Sequence, residues 1–239
     1  MQSLVKTPFN KYHHDLGAKM GAFAGWELPM WYTSILQEHN EVRNRVGMFD
    51  VSDMGRIWIT GSDAQIFLNR ILTKGINNLS VGYSHLDIMC LENGGILDDL
   101  FVYHISDNTY LIVWNAANTS GKLNWLYQYL EPGMDIAIKD ESSNTVMIAI
   151  QGPAVKQIKI LNEALKLPKY GVAKSLIKGL DVYSSRTGYT GEDGFEIISD
   201  RLTGLELWEL FIDYGIQPCG LGARDILRLE AGMLLYGQD

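Results

Sequence analysis

The sequence predicts an α+β fold in which mainly antiparallel sheets are flanked by helices. Three observations carry this reading. Short alternating apolar runs are joined by tight Gly, Asn and Asp turns, helical periodicities are inserted singly among them, and strands and crossover helices do not alternate regularly as a doubly wound parallel sheet requires. The chain has 239 residues, 46% hydrophobic and 20% charged, so it can bury the core of one large domain or two modest ones without metal or disulfide staples.

The glycine- and aromatic-rich stretch from Gly17 to Tyr32 reads as a folded but irregular segment. A helix is predicted over Thr33 to Val46: Thr33 or Ser34 caps it, Ile35, His39, Val42 and Val46 recur at helical spacing, and Gly47 stops it. Arg56 to Thr60 alternates as a strand, and Gly61 and Ser62 lead into a helix over Ala64 to Leu72. Leu86 to Ile105 reads as two strands joined through Asn93, Gly94 and Gly95, with a third from Thr109 to Asn115 after the Ser106, Asp107, Asn108 turn, and the three suit adjacent antiparallel positions. A helix follows over Ser120 to Tyr129. In the second half, Asn144 to Gly152 is a strand, and Pro153 is placed to start a helix through Leu165. Asp181 to Ile198 reads as two strands around a glycine-rich connection at Gly188 to Gly194, and helices are expected over Thr203 to Phe211 and Ala223 to Ala231.

Twenty basic residues against 28 acidic ones give a formal charge of -8, which argues against a broad polyanion-binding face and hence against nucleic acid as a partner. Two cysteines, Cys90 and Cys219, cannot build a disulfide framework and suit a reducing compartment. The N-terminal segment has no apolar signal region, and no run of eighteen uncharged apolar residues offers a membrane span, so a cytoplasmic, membrane-free protein is expected. The histidines make no zinc spacing, and no metal site is expected.

Three segments carry chemistry. In Gly94 to Leu100 the adjacent Asp98 and Asp99 point to opposite faces of a strand, so one enters a pocket while the other faces solvent. The bland alternative is a charged turn and an edge strand. In Ser184 to Ile197, Gly188, Gly191 and Gly194 allow a tight connection, and Tyr189 and Glu196 add an aromatic ring and a carboxylate able to accept two parallel hydrogen bonds from an amidine-like N–H face such as a pterin or guanine edge. The alternative is a purely structural hairpin. In Pro218 to Gly232, Arg224 and Arg228 lie one helical turn apart, so one can bind a substrate carboxylate while the other pairs with Asp225 or Glu230; the alternative is two surface ion pairs.

These segments, with KTPFNKYHHDLGAKMGAFAGWELPMWY, GMFDVSDMG, IVWNAAN and IQGPA, occur in an order that resembles the aminomethyltransferase (T protein) family of the glycine cleavage system along essentially the whole chain. The resemblance implies a folate-binding aminomethyltransferase-like α+β fold. It also implies an enzyme that transfers a one-carbon unit from the aminomethyl-dihydrolipoyl arm of a lipoylated carrier (H) protein to tetrahydrofolate, with release of ammonia. By motif, Asp99 resembles the catalytic carboxylate, and Met54, Asn115, Tyr189, Glu196 and Arg224 match folate-pocket positions. The expected organisation is a first folate-binding lobe from residues 1–50 and 140–239 and a second α+β lobe from residues 51–139, without the family's usual third, barrel-like domain.

The sequence departs from the family pattern at Asp53, where histidine is usual, at Leu86, where tyrosine is common, and at Leu91, where asparagine is common. Such changes keep open another tetrahydrofolate-dependent methyltransferase or demethylase, or a nonenzymatic folate-binding maturation protein.

Overall fold

The computed structural model describes residues 3–239. In chain order the elements are β1 (Val5–Lys6), α1 (Asn10–Asp15), β2 (Lys19–Phe23), β3 (Trp26–Trp31), α2 (Ile35–Asn44), β4 (Gly47–Asp50), β5 (Gly55–Thr60), α3 (Ala64–Ile71), β6 (Ser84–Cys90), β7 (Ile96–Ser106), β8 (Thr109–Trp114), α4 (Thr119–Gln128) and β9 (Ala137–Asp140). They continue with β10 (Thr145–Gln151), β11 (Val172–Ile177), β12 (Leu180–Ser185), β13 (Gly194–Asp200), α5 (Arg201–Asp213), β14 (Gln217–Pro218) and α6 (Leu221–Glu230). This is the mixed α+β architecture with mainly antiparallel sheets that the sequence predicts.

The chain divides into two compact units. The first takes the described residues up to Asp53, together with Asn144–Lys169 and Ala173–Asp239; the second takes Met54–Ser143 and Tyr170–Val172.

The first unit holds a three-stranded sheet, β1-β3-β2, and a six-stranded sheet, β11-β12-β13-β10-β4-β14. Its core strand β10 is buried from Val146 to Gln151, and α5 packs Leu207, Trp208 and Phe211 against it. Each such side chain contributes about 1.5–3 kcal/mol through burial. Caps set the helix starts: Ser34 Oγ accepts from the Gln37 amide at 3.3 Å, and Asp200 Oδ1 accepts from Leu202 and Thr203 amides at 2.9 and 3.1 Å. The buried carboxylate of Glu38 accepts from the amides of Tyr32, Thr33 and Gly220, tying α2 to the start of α6.

Two expectations are corrected in this unit. Gly17 to Tyr32 is not irregular, because Lys19–Phe23 and Trp26–Trp31 form a hairpin closed by Ala24 and Gly25, both at positive φ (48° and 86°). That turn follows the right-handed twist of its strands, and the sequence hid it by placing Ala where Asn or Asp is usual. Nor does Pro153 open one long helix. Three short 3-10 turns, Pro153–Gln157, Lys159–Leu161 and Ala164–Lys166, replace it, because Ile158 turns to an extended conformation (φ -81°, ψ 91°). The break lets Val155, Ile160, Leu161 and Ala164 all reach the core at a spacing no straight helix offers.

The second unit is a five-stranded sheet, β6-β7-β8-β5-β9, antiparallel throughout. On α3, Ala64, Phe67, Leu68 and Ile71 recur at helical spacing and join Ile57, Ile59, Val102 and Ile112 in its core. The sequence does not predict β9, whose AIKD segment is too short and too polar to stand out as a strand. Among the described residues, no helix is long and apolar enough to cross a membrane.

Candidate functional site

In the second unit, the β7–β8 register pairs Leu100 with Trp114, so the next residue along, Asn115, comes opposite Asp99. One side-chain amide then serves two acids. Asn115 Nδ2 donates to Asp98 Oδ1 at 2.8 Å and to Asp99 Oδ1 at 3.0 Å, and lies 3.2 Å from the Asp99 carbonyl. The Asn115 backbone amide adds a 3.2 Å bond to Asp98 Oδ2. The two acids therefore diverge in environment, as strand alternation requires, but not in partner: Asp98 is fully buried and Asp99 half-buried.

Asp98 is the inward acid, and Asp99 keeps partial exposure. Asp98 Oδ2 accepts from the Nζ of Lys122, itself fully buried, and Lys122 also donates to the Asn115 carbonyl at 2.6 Å. The ammonium lies 5.1 Å from the centre of the Trp114 ring. Trp114 in turn needs a glycine beneath it, because a Cβ on Gly55 would come 1.9 Å from its Nε1. Burial pushes the Asp99 carboxyl above its ordinary range, and the Asp98 charge adds to the effect; the Asn115 bond and the Lys122 charge oppose it. Burial pushes the Lys122 amine down, against the pull of Asp98.

Met54, also in this unit, is half-buried, and its carbonyl accepts from Arg56 Nη1. Leu86 and Leu91 are 52% and 41% exposed; Leu86 pairs with Phe101 across β6 and β7, and Leu91 lies in the turn that joins those strands. Sequence reasoning misses Lys122. Its signal is its spacing four residues before Leu126, which places a lysine on the helix stripe that faces the core.

In the first unit, Glu196 lies on β13 between Ala149 of β10 and Ser185 of β12. It is 6% exposed, and its Oε2 accepts from Thr187 Oγ1 at 2.5 Å. The Gly188 to Gly194 connection is held from below by Gln151, buried at the end of β10. Gln151 Nε2 donates to the Thr187 carbonyl at 3.1 Å, and its Oε1 accepts from Thr190 Oγ1 at 2.9 Å. A Cβ on Gly188 would meet that Oε1 at 1.9 Å. The acids of the loop are structural: Asp193 takes a bidentate pair from Arg186 at 2.9 and 2.6 Å, and Glu192 pairs with Arg43 at 3.0 Å. Arg43 also donates to the Thr190 carbonyl at 2.6 Å and to Glu230, clamping the loop to α6.

On α6 the two arginines divide. Arg228 is 3% exposed and spent on Asp225, Asp239 and the Met233 carbonyl. Glu230 pairs with His39 and Arg43 instead. Arg224 places its guanidinium carbon 4.8 Å from the centre of the Tyr189 ring, and its Nη1 is buried without a hydrogen-bond partner. Burial lowers its proton affinity, while the charges of Glu196 and Asp53 raise it. Asp53 is thus a carboxylate within the electrostatic reach of Arg224. The unit brings Tyr189, Glu196 and Arg224 into one neighbourhood, whereas Asp99, Asn115 and Met54 belong to the second unit.

Chemically, the second-unit cluster presents a carboxyl of raised proton affinity whose position is fixed by an amide. The first-unit cluster presents a carboxylate and a guanidinium N–H without a hydrogen-bond partner, with the guanidinium set over the Tyr189 ring. Among the described residues, no group of three His, Cys, Asp or Glu side chains is placed to hold a metal ion.

Comparison with known proteins agrees on one group. A family profile described as the GCVT N-terminal domain matches residues 9–239. Proteins described as aminomethyltransferases from Herpetosiphon aurantiacus and Staphylococcus haemolyticus are 41% and 42% identical to the chain over 99% of its length. The chain spans 66% of the length of each of these relatives. The crystal structure of the glycine cleavage system aminomethyltransferase T from Bartonella henselae superposes with a TM-score of 0.90 at 35% identity, covering 99% of this chain and 65% of that one.

Proposed function

Because the chain belongs to the GCVT N-terminal domain family, we propose that it serves tetrahydrofolate-dependent aminomethyl transfer. The one-carbon unit leaves the aminomethyl-dihydrolipoyl arm of a carrier (H) protein for tetrahydrofolate, and ammonia and the reduced lipoyl arm are released. The observation that carries this reading is the Asp99 carboxyl in the GGILDDL motif, fixed by Asn115 at 3.0 Å and raised in proton affinity by burial.

The residues present suit a folate. The buried Nη1 of Arg224 lacks a protein acceptor, and an acceptor atom of a bound ligand would satisfy it. Glu196, buried on β13, suits the N–H edge of a pterin, and Tyr189 offers a ring against which a flat heterocycle packs. By their match to the family's motifs, Met54 is assigned as a pocket-wall residue and Asn115 as a polar residue close to the cofactor. Tetrahydrofolate, when bound, supplies the nucleophilic nitrogen that accepts the one-carbon unit. Asp99 orients the reacting groups and stabilises positive charge that develops beside it. Positioned assistance of this kind contributes about 10²- to 10⁴-fold, provided that hydrogen-bond geometry is met.

The test is direct: incubate the chain with aminomethyl-dihydrolipoyl carrier and tetrahydrofolate, and measure ammonia and methylenetetrahydrofolate. Folate-dependent release of both in equal amounts supports the reading. Asp53 motivates a second one, because a carboxylate near Arg224 where the family usually has histidine changes the charge facing a donor. A folate-dependent methyltransferase or demethylase would turn over a methylated donor in the same assay and leave the carrier untouched. Folate binding with no turnover of either donor would favour a maturation protein.

A further inference from the structure

Lys122 is an uncommon residue in its setting. Lysines are almost never fully buried unless paired, and this one, 1% exposed in its side chain, is committed to Asp98 and to the Asn115 carbonyl. Both of its partners touch the same third group. Asp98 Oδ2 accepts from the Asn115 backbone amide, Asp98 Oδ1 accepts from the Asn115 side-chain amide, and that same Nδ2 donates to Asp99 Oδ1. An ion pair kept only for stability does not need this arrangement, since apolar residues of similar volume fill such space without the desolvation cost.

We propose that Lys122 is a positioning residue for the chemistry at Asp99: it neutralises Asp98 and grips the Asn115 carbonyl, so that the Asn115 amide presents the Asp99 carboxylate in one orientation beside a neutralised neighbour instead of a bare charge. This role rests on assigning the reaction to Asp99. Around Asp99 the charged groups are Asp98 on its own strand and Lys122 on α4; at the end of β8 stands the neutral Asn115, and the partner on β6 is the apolar Ile88. The two charges act on Asp99 in opposite directions, Asp98 raising its proton affinity and Lys122 lowering it. Removing the lysine leaves Asp98 facing Asp99 uncompensated.

The experiment follows the Asp99 carboxyl by carbon-detected NMR titration in the wild-type chain and in Lys122→Met, Asp98→Asn and the Asp98→Asn/Lys122→Met double variant, and runs single-turnover transfer in parallel. Lys122→Met should titrate at higher pH than the wild type, and Asp98→Asn at lower pH, with the double variant above Asp98→Asn. Transfer at neutral pH should fall at least about tenfold in Lys122→Met and recover in part in the double variant, in which no bare charge remains. A folded Lys122→Met with the wild-type Asp99 midpoint overturns the role. If Lys122→Met does not fold, equal midpoints in Asp98→Asn and the double variant overturn it, because the lysine then has no influence on Asp99. A wild-type chain that titrates as described but transfers nothing contradicts the assigned reaction and leaves the electrostatic coupling standing.

Discussion

The guanidinium carbon of Arg224 lies 4.8 Å from the centre of the Tyr189 ring, and the arginine's Nη1 is buried with no hydrogen-bond partner. Its neighbour one helical turn on, Arg228, is saturated by Asp225, Asp239 and the Met233 carbonyl. The contrast sets two arginines of one helix to different tasks. Arg228→Leu should lower stability by about 1.5–3 kcal/mol, the worth of hydrogen bonds to charged groups, with little effect on folate affinity. Arg224→Leu should stay within about 1 kcal/mol of wild type, losing chiefly its cation–π contact, while folate binding weakens at least about tenfold. Urea unfolding and calorimetry on both variants check the pair; equal stability losses would contradict it.

Asp99 predicts a dependence of stability on pH. Its folded-state proton affinity is raised, by burial first and by Asp98 second, so the folded chain holds this proton more tightly than the unfolded chain. The stabilisation from that bound proton is present below the unfolded-state range and is lost as pH rises through the folded-state value. Asp99→Asn cannot ionise and keeps an oxygen for the Asn115 amide. Its stability advantage over wild type should therefore grow between about pH 4 and about pH 7, as read from urea midpoints. An advantage that shrinks over this interval would contradict the assignment of the raised group.

Gly188→Ala should cost about 1–3 kcal/mol, the range for overpacking a tight site. The added Cβ would come 1.9 Å from Gln151 Oε1, and Gln151 cannot step aside without breaking its bonds to Thr187 and Thr190. Thermal or urea unfolding checks this, and a shift below about 0.5 kcal/mol would show that the Gly188 to Gly194 loop has slack.

The sequence makes the sheets of the second unit legible because alternation is strong there and the turns at Asn93 to Gly95 and at Asp107, Asn108 use residues that tolerate left-handed backbone. It hides the β2–β3 hairpin, whose turn starts with Ala24, and the broken helix after Pro153, where proline starts a turn but does not fix the backbone of the residues beyond it. At the candidate sites, residue types with chemistry are easy to mark; their partners are not. Asn115 bridging two acids depends on the β7–β8 register, and the Lys122–Asp98 pair depends on which face of α4 meets the sheet. Both are long-range facts, invisible to a period read within one segment. Arg224 and Arg228 look equivalent in the sequence for the same reason.

The measurement closest to the central claim separates recognition from reaction. Tetrahydrofolate affinity by calorimetry and single-turnover transfer from the aminomethyl-dihydrolipoyl carrier should be compared for wild type, Glu196→Gln and Asp99→Asn. Glu196→Gln should weaken binding by about 1–3 kcal/mol, as expected for removal of a buried, charge-assisted contact. Asp99→Asn should bind folate nearly as wild type does and slow transfer at least about tenfold, about 1.4 kcal/mol in the barrier. Equal folate affinity for wild type and Glu196→Gln, together with undiminished transfer by Asp99→Asn, would contradict the division of labour proposed for these two carboxylates.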